Sequence, residues 1–144
     1  MHRRPQRVIH HVDVAVADFE RSREFYRRVL EPLGLALVIE FRRDDGTTLA
    51  GFGLSPDPGF WIRSGRPVAD WMHVAFHAET RKAVDAFHRA ALAAGAKDNG
   101  APGERPRYAE NYYAAYVLDP DGHNIEAVCR EPAGLSPGSG AIRP

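Results

Sequence analysis

The chain repeats itself at an offset of 62 residues. His11 and His73 hold equivalent places, and the same step carries Phe25 onto Phe87 and Leu30 onto Leu92. A repeat of this length is one supersecondary unit used twice, with each copy burying what the other leaves open. In the first half, Val12, Val14 and Val16 alternate with His11, Asp13 and Ala15, which predicts a strand over 8–16. Asp18 suits a helix N-cap, and Phe25, Val29 and Leu33 recur at spacing four until Pro32-Leu33-Gly34 stops the helix near Glu31. Strands follow over 34–42, 47–54 and 60–63, separated by the turn signals Asp44-Asp45-Gly46 and Ser55-Pro56-Asp57-Pro58-Gly59.

The second half repeats this order. Trp71 to Ala78 reads as a strand, with Val74 and Phe76 on one face and His73, Ala75 and His77 on the other. Thr80 caps a helix whose stripe is Val84, Phe87, Ala91 and Ala94, and Gly95 stops it. The stretch 98–111 is rich in Gly, Pro and charge and is expected to be a long loop. A strand over 112–118 then meets the turn Asp119-Pro120-Asp121-Gly122 and a last strand around Ile125. Each half reads strand, helix, then two or three strands, with one sheet face left open. Side by side, two such halves predict an α+β fold: one curved sheet with helices on its outer face.

Composition narrows the function classes. Lys plus Arg and Asp plus Glu both number 19, so formal net charge is zero and there is no electrostatic case for nucleic acid or an anionic membrane. No apolar run approaches the roughly 18 residues of a membrane span, and no signal-like apolar core follows the basic start 1–7. The one cysteine, Cys129, fits a reducing compartment and an inert core thiol. A cytoplasmic protein is expected, with a small molecule rather than nucleic acid or membrane as its partner.

Three residues carry chemistry. His11 and His73 lie on the strand face away from the helices, and Glu126 shares a face with Asn124 and Val128 on the last strand. A carboxylate inside an apolar strand needs water or a cation. Two imidazoles and one carboxylate form a facial set for Fe(II), and they also suit Mn(II), Zn(II) or Ni(II). His77, two positions beyond His73, is a candidate general base or pocket-lining group. Arg105, Arg107 and Tyr108 lie in the expected loop, which is either a lid offering cations to an anionic substrate or simply a solvated loop. Trp61, Trp71, Tyr112, Tyr113 and Tyr116 line either core or cup, according to strand register; Tyr113 and Arg107 join His77 as catalytic candidates. His123, beside the turn, is expected to be exposed. No phosphate-binding glycine motif is visible, so no organic cofactor is expected.

The chain resembles the vicinal oxygen chelate (VOC) superfamily, which holds glyoxalase I, fosfomycin-resistance enzymes, extradiol dioxygenases and bleomycin-resistance proteins. The carrying residues are Ile9-His10-His11-Val12 with Asp18 and Ser22-Arg23-Glu24-Phe25-Tyr26, then Met72-His73-Val74-Ala75-Phe76, and Asp119-Pro120-Asp121-Gly122 through Ile125-Glu126. The resemblance implies two βαβββ modules forming a cup-shaped mixed β-sheet, 7–64 and 70–130; the Gly/Ser/Pro-rich stretch 133–144 has little to bury and is expected to be a disordered tail. It implies one divalent metal (Fe, Mn, Zn, Ni or Co) on His11, His73 and Glu126, with His11 preferred to His10 because it stands seven residues before Asp18. It also implies a homodimer. The position that supplies a fourth ligand in glyoxalase I falls here on Ile62 or Arg63, which argues for a three-ligand site. The expected protein is therefore a glyoxalase-like, metal-dependent enzyme of lyase, isomerase, transferase or dioxygenase type acting on a small oxygen-rich molecule. The alternative is a metal-free protein that sequesters a small molecule, of the bleomycin-resistance type.

Overall fold

The computed structural model describes residues 8–134, so the expected tail lies outside the described residues from 135 onward, as does residue 7. The first module is β1 (Val12–Val16), α1 (Phe19–Leu30), a 3-10 turn (Glu31–Leu33), β2 (Ala36–Arg42), β3 (Thr48–Leu54) and β4 (Asp57–Ser64). The second is β5 (His73–His77), α2 (Arg81–Ala93), β6 (Lys97–Glu104), β7 (Tyr113–Leu118) and β8 (Asn124–Cys129). Both are βαβββ units in an α+β fold. Each forms its own four-stranded sheet, in the orders β1-β4-β3-β2 and β5-β8-β7-β6. The first strand of each module runs parallel to the last, and the remaining pairs are antiparallel.

The helices begin where side-chain oxygens can cap them. Asp18 accepts from the Arg21 amide at 3.1 Å, and Thr80 from the Ala83 amide at 3.1 Å. Gly34, at φ 78°, ends the turn after α1 in the left-handed region. α1 lies on the sheet β2–β4, α2 lies on β6–β8, and the two helices touch each other. The valines of β1 behave as the alternation predicts: Val14 and Val16 are buried in a core shared by both modules. The rings of Phe60 (β4) and Phe76 (β5) meet edge-on at 5.1 Å across that core.

Two expectations are corrected. The stretch 98–111 is not all loop, because β6 (Lys97–Glu104) takes residues 98–104 of it. β6 is a sheet edge, where Pro102 removes no necessary ladder bond, and its register shifts around Gly100 absorb the irregular sequence. At Gly100 an added Cβ would stand 2.9 Å from the Tyr116 ring, so the glycine admits the close approach. His123 is not exposed but 3% accessible. Its Nε2–H donates to the Val68 carbonyl at 3.0 Å, which ties the segment between the modules to the β7–β8 turn.

Candidate functional site

The turn that delivers Glu126 is built by one carboxylate. Asp119 Oδ1 accepts from the amides of Asp121 (3.0 Å) and His123 (2.9 Å), while the Gly122 amide donates to the Asp119 carbonyl at 2.9 Å. Gly122 takes φ 83°, as the Asp-Gly signal requires. β8 then starts at Asn124, and alternation turns Asn124, Glu126 and Val128 to the face away from α2.

His73 opens β5 opposite Asn124 in parallel register. Its Nδ1 lies 3.0 Å from the Asn124 carbonyl, which can only accept, so Nδ1 carries a hydrogen. Its Nε2 lies 2.9 Å from Oε1 of Glu126. Glu126 is 2% accessible, and its Oε2 receives the Tyr112 hydroxyl at 2.5 Å. Both ring nitrogens of His73 thus face acceptors, and a proton or another cation must sit between Nε2 and the carboxylate. The Tyr116 ring stacks near His73 at 6.3 Å, and Trp71 stands 5.9 Å away on the approach to β5. Burial, reinforced by the Glu126 charge, holds the Tyr112 and Tyr116 phenols above their ordinary range. At neutral pH both are hydrogen-bond donors, not bases.

The structure joins two of the three expected ligands. His11 sits apart, exposed on the cup-side face of the first sheet, with its Nδ1 2.9 Å from that of His10. It lines a cavity of about 960 Å³ with Asp13, Phe41, Arg43 and Trp61. Among the described residues no three His, Cys, Asp or Glu side chains are grouped closely enough to hold a metal ion. The pair itself fits a metal in its chemistry: an imidazole nitrogen beside a carboxylate, with the other imidazole nitrogen oriented by a backbone carbonyl. Within one chain the set is two donors, not three.

The remaining candidates divide by face. His77 shares the His73 face of β5 and is exposed. Arg107 is exposed between β6 and β7, its guanidinium 5.1 Å from the Tyr108 ring centre. Tyr113 turns the other way, and its hydroxyl donates to Asp85 of α2 at 2.6 Å. Burial there pushes its phenol to about 12, and its place under the helix removes it from the cup face. Trp61 lines the first sheet's cavity and Trp71 stands near His73, so neither is core. Tyr112, which the sequence leaves between core and cup, stands at this site through its bond to Glu126. Its signal is its parity with Tyr116, which pairs with Glu126 on the neighbouring strand.

A family model described as the Glyoxalase/Bleomycin resistance protein/Dioxygenase superfamily matches residues 8–127. The chain belongs to this superfamily. A glyoxalase/bleomycin resistance protein from Albidiferax ferrireducens T118 is 30% identical, with 87% of this chain and 100% of that one covered and a TM-score of 0.70. A glyoxalase I variant from Zea mays is 25% identical with a TM-score of 0.64; the match covers 83% of this chain and 46% of that one. A FosX fosfomycin resistance protein variant from Listeria monocytogenes shares the fold at 17% identity and a TM-score of 0.61, covering 84% of this chain and 90% of that one. No curated protein matches the sequence. As a superfamily member the chain is glyoxalase-like, and none of its described helices is long and apolar enough to cross a membrane.

Proposed function

We propose that this chain is a divalent-metal-dependent enzyme that acts on a small oxygen-rich molecule and works as a homodimer. The observation that carries the reading is the 2.9 Å approach of His73 Nε2 to Glu126 Oε1, with Nδ1–H fixed on a carbonyl. That arrangement presents a lone pair and a negative oxygen to one point, as a divalent ion requires. His73 and Glu126 would hold the ion, with His11 of a second copy as the third ligand. Among the described residues β1 and β5 are sheet-edge strands with an unpaired side, and a second copy that covers them would bring its first-sheet face to this second-sheet face. A metal held there would supply Lewis-acid polarisation of a substrate oxygen.

The chain's own residues do the rest. The Asn124 carbonyl fixes the His73 tautomer and ring plane. Tyr112 donates to Glu126 and keeps its other oxygen turned toward His73. His77, exposed on the same face, is the proposed base that would accept a substrate proton. Elemental analysis of untagged protein tests the reading. It expects one divalent ion per chain, and metal-free protein that also fails to bind added Mn(II), Zn(II), Ni(II), Co(II) or Fe(II) would overturn it.

The second reading is a metal-free sequestering protein, favoured by the distance His11 keeps from the pair. It predicts ligand-dependent thermal stabilisation with no metal requirement.

A further inference from the structure

From the arginines around the Glu126 face we infer that the ligand is a planar anion, an aromatic or conjugated carboxylate. The inference rests on the same reading of this face as a ligand site, and it names the substrate class. Three guanidinium groups gather there. Arg105 lies 5.5 Å from the centre of the Tyr116 ring, Arg107 5.1 Å from that of Tyr108, and Arg130 5.7 Å from that of Tyr112. The rings fall in two pairs, Tyr108 with Tyr112 at 5.5 Å and Tyr116 with His73 at 6.3 Å, and Glu126 links them by bonding both Tyr112 and His73.

What separates these three arginines from the others is that each lies against a tyrosine ring and, among the described residues, has no carboxylate partner. Arg23, Arg27, Arg63 and Arg81 each pair with a carboxylate. Among the described residues, Arg105, Arg107 and Arg130 have none. Arg105 donates to the Ala101 carbonyl at 2.7 Å, Arg130 to the Glu110 carbonyl at 3.3 Å, and Arg107 to the Tyr108 hydroxyl at 3.4 Å. All of these acceptors are neutral, so three positive charges stay uncompensated on one patch of a chain whose net charge is zero. Glu126 supplies the negative charge of this face, and His73 and Tyr112 already engage it. A guanidinium set against a ring keeps its charge and its remaining N–H groups available to a carboxylate fork.

An exposed aromatic surface lies beside the cations. Trp71 is 73% exposed and Tyr108 is 57% exposed, a large apolar area left in water beside the cations. Trp71 lies near His73, so a flat ligand stacked on it would hold its charged end toward the arginines and an oxygen toward Glu126. A compact tetrahedral anion would use the arginines and leave Trp71 idle.

The test is calorimetry on chelator-treated protein with three probes: 1-naphthoate, its uncharged analogue 1-naphthalenemethanol, and inorganic phosphate. Naphthoate is expected to bind at least about tenfold more tightly than either of the others. Arg105→Gln and Arg130→Gln should each weaken naphthoate about fivefold and leave the alcohol unchanged, and Trp71→Ala should weaken naphthoate and not phosphate. Equal affinity for naphthoate and the alcohol overturns the inference, as does naphthoate binding unmoved by the arginine changes. A Trp71→Ala chain that loses self-association but keeps naphthoate affinity also overturns it, because the aromatic surface is then a contact between copies. Metal titration of the same samples separates the two readings: intact metal binding with no naphthoate binding removes this inference alone, and the converse removes the metal reading alone.

Discussion

The hydroxyl of Tyr26 donates to Oδ2 of Asp119 at 2.5 Å, although the two residues stand 93 positions apart and in different modules. Tyr26 is fully buried on α1, and Asp119 is the carboxylate that builds the turn before Glu126. One side chain therefore locks the first helix to the loop that sets the site. Beside it, the Ala17 amide donates to Asp121 at 3.2 Å, a second tie between the modules.

Tyr26→Phe removes the donor and keeps the ring. Asp119 Oδ2 then stays buried with only the His123 ring at 3.8 Å near it. The expected cost is about 1.5–3 kcal/mol, the range for a hydrogen bond to a charged group. Urea denaturation of both proteins measures it, and an unchanged midpoint would show that the bond adds nothing.

Alkaline pH should unfold the protein through its tyrosines. Burial, the Asp119 charge and the hydrogen bond raise Tyr26 well above its ordinary value near 10; Tyr112 and Tyr116 are also raised, and Tyr113 lies at about 12. The unfolded chain releases these protons near pH 10 while the native chain keeps them. Stability is thus complete below pH 10 and falls as pH rises beyond it. Denaturation midpoints followed above pH 10 should decline more gently in Tyr26→Phe, and a parallel decline would contradict the assignment.

Tyr112→Phe tests the orientation of Glu126. The hydroxyl at 2.5 Å touches no proposed metal position but fixes the carboxylate that does. Metal affinity should fall about tenfold, as it does when partners behind a ligand are lost, with the circular dichroism spectrum unchanged. Equal affinity would assign Tyr112 a structural role only.

Much of the fold was legible because it is local. Asp18 and Thr80 cap where their side chains predict, and alternation in β5 and β8 turns His73 and Glu126 to one face. β6 was hidden because an edge strand tolerates the Gly and Pro that normally mark loops. The burial of His123 was hidden because its acceptor, the Val68 carbonyl, lies 55 residues away. The same limit applied to Tyr112 and Tyr113: adjacent residues point to opposite faces, and only the register with β8 decides which one meets Glu126. His73 and Glu126 meet because β5 and β8 pair in one sheet, whereas the place of His11 relative to them depends on how the two sheets sit, which no local pattern carries.

The most direct measurement is metal binding by a mixture of two defective variants. His11→Ala and Glu126→Gln each disable one side of the proposed shared site, so calorimetric titration with Mn(II) or Zn(II) should find weak or no binding in either alone. If His11 acts on the His73–Glu126 pair of a second copy, refolding the two variants together forms mixed dimers with one intact site. About one site in four of the wild-type number should return. No recovery beyond the separate variants, beside a wild type that binds metal, would contradict the shared site.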